Sequence, residues 1–134
     1  MKKIVSLVLL SVALLGGEDW LHSYEEAQAQ ALKEKKNIMV MLSGENCDAC
    51  WYMENIVFED DAVHTLLMSN FVPVYLDVNN DFIPDKFKFI GTPTFYFSDA
   101  NGTKIGHRIN GASNVKDFTK TVNKILEEVK KVKP

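Results

Sequence analysis

The residues best suited to chemistry are the chain's two cysteines, Cys47 and Cys50, which lie three positions apart within the stretch Ser43 to Trp51. In the chain-entropy model, a disulfide that closes a loop of about four residues stabilises a fold by only about 2 kcal/mol. One that spans half a domain contributes roughly 4 kcal/mol. A purely stabilising disulfide would therefore join more distant residues, and the spacing favours a redox-active dithiol.

Metal binding and an inert local disulfide are the alternatives for this cysteine pair. A zinc site usually takes about four ligands, from two Cys-x-x-Cys units or from one such unit and a histidine pair. The three histidines, His22, His64 and His107, are scattered along the chain. We interpret them as surface or packing residues, and we expect no metal and no organic cofactor beyond the Cys47–Cys50 disulfide itself.

Residues 1–17 have the anatomy of a signal peptide. A short basic start, Met1 to Lys3, precedes the run Ile4 to Leu15, which is apolar apart from two serines. This run is shorter than the roughly 20 apolar residues that span a bilayer, and it is typical of a cleavable signal. We predict cleavage near Gly17, so that residues 18–134 form one domain exported to the bacterial periplasm.

Composition narrows the expected partners. The chain of 134 residues has a formal net charge of −3, and loss of the two lysines in the signal peptide would take this charge to −5. An acidic domain is a poor candidate for binding nucleic acid or an anionic membrane. We expect a monomer. Its expected partners are proteins with disulfides or thiols, because an oxidising compartment is where disulfides form.

Local patterns place the cysteine pair between a buried strand and a helix. Ile38–Leu42 is a continuous apolar run, as expected for a strand that is buried on both faces. From Cys47 onward Gly and Pro are absent until Pro73, and apolar residues recur at roughly helical spacing. We therefore predict that a helix begins at Cys47.

The remaining elements are predicted from capping residues, turn residues and apolar periodicity. They are a helix over Tyr24–Lys35 capped by Ser23, a short helix over Ala62–Ser69 capped at Asp60-Asp61, a hairpin of Phe95–Phe97 with Thr103–Ile109, and an amphipathic helix capped by Asn114. A strand over Phe71–Val78 contains Pro73 and should therefore lie at a sheet edge or start irregularly. The first two strands should be parallel, joined by a right-handed crossover through the cysteine helix.

This arrangement resembles the thioredoxin superfamily, in particular its exported thiol-disulfide members with a helical N-terminus. The resemblance covers about Ser23 to Val129. It is carried by Cys47-Asp48-Ala49-Cys50 after a buried strand, by Gly91-Thr92-Pro93-Thr94, and by the closing hairpin and helix. It implies an α/β fold in which a central mixed sheet of about four strands is flanked by helices, with a helical N-terminal extension.

Position and resemblance together predict the roles of the site residues. Cys47, at a helix N-terminus, should be the nucleophilic thiolate, and the more buried Cys50 should be the resolving thiol. The resemblance implies a cis peptide bond between Thr92 and Pro93, with the Thr92 backbone free to pair with an extended substrate segment. Trp51 is a candidate for the rim of the substrate site, and packing in the core is its alternative role.

Two positions depart from the thioredoxin pattern. Thioredoxin carries a tryptophan immediately before its first cysteine and a buried aspartate six positions before it, where this chain has Asn46 and Met41. A different proton acceptor is then needed for the resolving thiol. Glu54, four residues after Cys50 on the same helix, is the candidate, and a simply solvated carboxylate is the alternative.

The expected function is that of an exported thiol-disulfide oxidoreductase. Asp48 lies between the cysteines and Glu45 just before them, and their negative charge opposes the helix dipole. We therefore predict a fairly reducing couple that reduces disulfides in other exported proteins and is itself reduced by a membrane electron donor. The alternative is a metal-binding, adaptor or chaperone module of the same fold without turnover.

Overall fold

The fold is given by a computed structural model that describes residues 20–132. The predicted signal peptide, residues 1–17 with cleavage near Gly17, lies outside the described residues. The helices of the described part are α1 Tyr24–Glu34, α2 Asp48–Tyr52, α3 Asp61–Asn70 and α4 Val115–Val132, and the strands are β1 Asn37–Ser43, β2 Phe71–Asp77, β3 Thr94–Ser98 and β4 Ile109–Asn110. None of the helices in this part of the chain is long and apolar enough to span a bilayer.

The strands form a mixed sheet in the order β2-β1-β3-β4. β1 is parallel to β2 and antiparallel to β3, which confirms the predicted class of fold and the parallel pairing of the first two strands. Pro73 lies in β2, at the edge of the sheet, where a missing backbone donor is tolerated. Leu21 covers part of that edge, because its N–H donates to Pro73 O at 3.0 Å and its carbonyl accepts from Tyr75 N–H at 2.8 Å.

Side-chain caps define where the helices begin, as predicted. The Ser23 hydroxyl accepts from Glu26 N–H at the start of α1, and the Asp60 carboxylate accepts from two backbone N–H groups at the start of α3. The Asn114 side chain accepts from Asp117 N–H at 2.8 Å at the start of α4. These caps satisfy backbone donors that have no partner within the helix.

The helix predicted from Cys47 is present, but it is not α-helical over its whole length. Met53–Val57 is a π-helical turn that continues directly from α2. The buried residues there are Met53, Val57 and Phe58, whereas Ile56 is exposed. The wider π turn therefore directs two consecutive side chains, Val57 and Phe58, into the core.

The predicted strand Thr103–Ile109 is also wrong in extent. Ile109 and Asn110 form the regular ladder with β3, and nearer the turn the pairing is reduced to an isolated bridge between Lys104 and Ser98. Between them Gly106 adopts a positive φ of 63°, a conformation that interrupts an extended strand. The hairpin is antiparallel as predicted, but its second arm is mostly irregular.

The sheet separates two apolar layers because side chains alternate along β1. Met39 and Met41 face a layer that contains Cys50 and the buried residues of α4, whereas Ile38, Val40 and Leu42 face the layer that includes α1. β1 therefore carries buried side chains on both faces, as its apolar run predicted. The loop that leaves its end carries the first cysteine.

Candidate active site

Cys47 is the N-cap residue of α2, so its sulfur lies at the point where the helix begins. The preceding residue, Asn46, turns the chain with a φ of 51°, in the left-handed region. Cys47 Sγ accepts from Cys50 N–H at 3.1 Å, as a capping side chain does. The pattern of apolar residues predicted the start of this helix at the correct residue.

The two cysteines form a disulfide across the first turn of α2, with their Cα atoms 5.2 Å apart. Cys50 is only 2% exposed and belongs to the core on the α4 side of the sheet. Cys47 is half-buried. This asymmetry leaves the Cys47 sulfur as the one that a second molecule can reach.

The loop before β3 meets the disulfide. The Thr92–Pro93 peptide bond is cis. The Thr92 hydroxyl donates to Cys47 Sγ at 3.3 Å, and the Thr92 carbonyl oxygen lies 3.4 Å from the same sulfur. Sequence reasoning assigned a role to the Thr92 backbone and missed its hydroxyl, although a hydroxyl-bearing residue before the proline was visible in the sequence.

Pro93 is fixed in place by its neighbours. It is buried, and its carbonyl oxygen accepts from Gly111 N–H at 2.8 Å. The Thr94 hydroxyl donates to Gly91 O at 2.7 Å and closes the loop on itself. These bonds hold Thr92 against Cys47.

Glu54 lies one turn beyond Cys50 and is partly buried rather than fully solvated. Burial raises the pKa of its carboxyl above the ordinary value, and a hydrogen-bonding interaction with Tyr75 partly offsets that rise. Burial also raises the pKa of the Tyr75 hydroxyl, and the Glu54 carboxylate contributes to that rise. Glu54 and Tyr75 therefore interact in a partly desolvated environment.

The position six residues before Cys47 holds no ionisable group. Met41 is fully buried there, in the same apolar layer as Cys50. Ser43, two residues further along β1, is 1% exposed. Its hydroxyl makes no hydrogen bond of regular geometry within residues 20–132, but it lies close enough to the Tyr75 hydroxyl to lower the pKa of that group. With Met41 at that position, Glu54 is the carboxylate among the predicted site residues.

Trp51 follows Cys50 on the exposed side of α2. Its side chain is 59% exposed, so it lies outside the core. The backbone N–H of Trp51 donates to Cys47 O at 3.1 Å. Asp48 and Glu45 are exposed on either side of Cys47. Within residues 20–132, no three His, Cys, Asp or Glu side chains are grouped so that they could hold a metal ion.

Comparisons with known proteins agree with this geometry. Residues 24–126 match a family model described as a thioredoxin-like domain. The chain is 31% identical over 112 residues to the thiol:disulfide interchange protein DsbD of Pseudoalteromonas atlantica, a match that covers 79% of this chain and 19% of that relative. The chain therefore spans about a fifth of the length of this curated relative.

Solved structures show the same fold. A thioredoxin from Thermus thermophilus superposes with a TM-score of 0.67 at 27% identity, and the match covers 80% of this chain and 86% of that one. The oxidised C-terminal domain of DsbD from Neisseria meningitidis superposes with a TM-score of 0.63 at 18% identity, covering 78% of this chain and 97% of that one. The second likeness, at its lower identity, is a likeness of fold alone.

Proposed function

Because the chain belongs to the family of thioredoxin-like domains, we propose that it is an exported thiol-disulfide oxidoreductase that reduces disulfides in other exported proteins. The observation that carries this proposal is the half-buried Cys47 sulfur, which lies at a helix start beside a buried Cys50 and in contact with the Thr92 hydroxyl. The thiol:disulfide interchange protein that resembles this chain supports the same class of reaction.

The proposed reaction begins from the reduced dithiol. The Cys47 thiolate attacks one sulfur of a substrate disulfide, so that a Cys47–substrate disulfide forms and the other substrate sulfur leaves as a thiolate that takes up a proton. Cys50 then loses its proton and attacks Cys47 Sγ. The Cys47–Cys50 bond forms and the second substrate thiol leaves, so two electrons pass from the dithiol to the substrate.

Two donors favour the Cys47 thiolate in this scheme. Cys50 N–H and the Thr92 hydroxyl both point at Cys47 Sγ, at 3.1 and 3.3 Å. Hydrogen bonds to a charged form stabilise it and lower its pKa. Cys47 is therefore the thiol that ionises first and attacks.

Glu54 is the proposed proton acceptor for Cys50. A carboxyl whose pKa is raised by burial accepts a proton more readily near neutral pH than a solvated one does. Its place one turn beyond Cys50 on the same helix is compatible with proton transfer, directly or through one water molecule. Met41 leaves the usual carboxylate position apolar, so no competing acceptor lies there.

The proposed substrates are extended protein segments. The Thr92 backbone would pair with such a segment by strand addition, and the exposed Trp51 would contact its side chains. Re-reduction by a membrane electron donor, and export through residues 1–17 to the bacterial periplasm, complete the proposal. The exposed Asp48 and Glu45 beside Cys47 support a reducing direction, because negative charge disfavours the thiolate.

The proposal is tested by trapping the intermediate with protein that lacks residues 1–17. Cys50→Ser should accumulate a mixed disulfide with substrate proteins, because the resolving step is removed, whereas Cys47→Ser should form none. The reduction potential of the wild-type pair should lie near the thioredoxin value of about −270 mV, and a value near −120 mV would instead identify a disulfide donor. A pair that never cycles with glutathione would disprove the proposed activity and favour a binding module.

A further inference from the structure

The turn that follows β2 is a closed hydrogen-bonded unit. The Asp77 carboxylate accepts from Asn79 N–H and from the Asn80 side-chain amide, each at 2.8 Å. Asp77 N–H donates to the Asp81 carboxylate at 2.7 Å, and Asp81 N–H donates to Asp77 O at 2.8 Å. These internal bonds give the turn a defined shape at the end of β2.

This turn is attached to the loop that precedes Cys47. The Asn79 carboxamide oxygen accepts from Glu45 N–H at 3.0 Å, across 34 positions of sequence. Val78 N–H donates to Ser43 O at 2.8 Å. The two bonds therefore hold Ser43, the last residue of β1, and Glu45, the residue before Asn46, against the turn.

Gly44 is enclosed between this turn and the proline loop. A Cβ atom at Gly44 would lie 3.2 Å from the Thr92 hydroxyl oxygen and 3.4 Å from the Asn79 carboxamide oxygen. Asn79 and Thr92 therefore both lie close to the space that a side chain at Gly44 would occupy. The Thr92 hydroxyl is the same group that donates to Cys47 Sγ.

We propose that Asn79 is a positioning residue for Cys47, because its carboxamide anchors the Glu45 backbone and so holds the cysteine loop against Thr92. This inference rests on the proposed function and extends it to a residue outside the Cys-x-x-Cys and proline motifs. An anchor would stabilise the loop, since Asn46 adopts a left-handed φ of 51°, which asparagine tolerates better than most residues but which is still uncommon outside glycine. Such conformations persist where the surroundings over-determine them.

Loosening the loop would weaken both hydrogen bonds to Cys47 Sγ. The thiolate of the reduced protein would then be less stabilised, so the pKa of Cys47 would rise and the couple would become more reducing. Hydrogen bonds from Asn80 and Asn79 lower the pKa of Asp77, which keeps its carboxylate charged near neutral pH. The turn that presents Asn79 is therefore intact under the conditions in which Cys47 reacts.

The test compares Asn79→Ala with Asn80→Ala in the reduced and oxidised protein. Both residues are exposed on the same turn, and each loses one side-chain hydrogen bond, but only Asn79 contacts the cysteine loop. For Asn79→Ala we expect a three- to tenfold smaller equilibrium constant for reduction by glutathione. This corresponds to a reduction potential that is about 15 to 30 mV more negative. The equilibrium constant of Asn80→Ala should stay within about twofold of the wild-type value, because the substitution is exposed and does not contact the cysteine loop.

Three further measurements separate positioning from general destabilisation. The Glu45 amide should exchange its hydrogen faster in Asn79→Ala and at the wild-type rate in Asn80→Ala, and Asn79→Asp, which keeps an acceptor, should restore its protection. The pH profile of Cys47 alkylation should move to higher pH in Asn79→Ala only. Free energies of unfolding, measured by denaturant, show whether each variant is folded.

The inference is overturned if Asn79→Ala leaves the potential, the alkylation profile and the Glu45 exchange rate as they are in Asn80→Ala. Failure of the proposed function gives a different result. In that case the wild-type protein does not cycle with glutathione at all, and the Glu45 exchange rate together with the alkylation profile still decides whether Asn79 positions Cys47.

Discussion

The Thr92 hydroxyl donates to Cys47 Sγ at 3.3 Å, although the two residues are 45 positions apart in the chain. The bond joins the loop before β3 to the start of α2. It places a neutral donor at the atom that becomes negatively charged when the disulfide is reduced. A residue from a distant loop is therefore in contact with the first cysteine.

Thr92→Val should raise the pKa of Cys47 in the reduced protein. Valine keeps the shape of the side chain and removes the donor, so we expect a rise of roughly one unit, about 1.4 kcal/mol. The reduction potential should become more negative by about 30 mV. Thiolate absorbance against pH and equilibration with glutathione measure the two effects. Thr121→Val is the control, because that hydroxyl donates to Asp117 O on α4, and equal shifts in both variants would contradict the role of Thr92.

Glu54→Gln should change how stability depends on pH. Burial raises the folded-state pKa of Glu54 above its ordinary value of 4.5. Between the unfolded and folded pKa values the folded protein binds more protons, so stability falls as pH rises through that window. Glutamine removes this loss, and the variant should be at least as stable as wild type at pH 7 in denaturant unfolding. The exposed Glu59→Gln is the control, and a variant less stable than it at pH 7 would contradict the desolvation of Glu54.

The same Glu54→Gln variant should slow turnover if Glu54 accepts the Cys50 proton. A positioned general base typically accelerates a reaction by about a hundredfold or more. Because Glu54 is only partly buried, water can take over part of its role. We expect a decrease of about tenfold or more in the reduction of a protein disulfide near pH 7, with a smaller deficit at high pH where hydroxide competes. A pH–rate profile unchanged from that of Glu59→Gln would show that Glu54 is only a structural carboxylate.

Asp77→Asn should reduce stability at neutral pH and flatten its acid dependence. Hydrogen bonds from Asn80 and Asn79 lower the folded-state pKa of Asp77 below its ordinary value of 3.8. A lowered carboxyl pKa contributes stability that is present above the unfolded value and is lost as pH falls through the folded value. The loss should be below about 1 kcal/mol, because solvent screens a carboxylate at the surface. Acid unfolding curves measure it, with the exposed Asp85→Asn as control, and a larger effect at position 85 would contradict this prediction.

Trp51→Ala should affect protein substrates and leave stability unchanged. Its side chain is 59% exposed, so the free energy of unfolding should change by less than about 0.5 kcal/mol. If the indole contacts substrate segments, reduction of a protein disulfide should slow by roughly fivefold, about 1 kcal/mol, whereas exchange with glutathione should not. Leu32→Ala is a matched control on α1, with the same 59% exposure. Equal rates for the two variants on a protein substrate would contradict a role for Trp51 at the rim.

Much of the fold was predictable because it depends on local signals. The apolar run of β1 predicted a strand buried on both faces, and Ser23, Asp60 and Asn114 cap helices where their side-chain chemistry favours it. The irregular second arm of the hairpin was not predictable from apolar content. It depends on the positive φ of Gly106, and glycine is compatible with many backbone conformations.

By itself, the sequence determined which residues are the candidates for the chemistry. Cys47 and Cys50 lie three positions apart at a helix start, and that local relation defines an outer and an inner thiol before any tertiary contact is known. The tertiary structure decided what surrounds them. The Thr92 hydroxyl and the Asn79 carboxamide reach the cysteine loop through the order of strands in the sheet, and Glu54 lies in the π turn. Contacts between residues 34 to 45 positions apart depend on how strands pair and loops close, which no local pattern of side chains specifies.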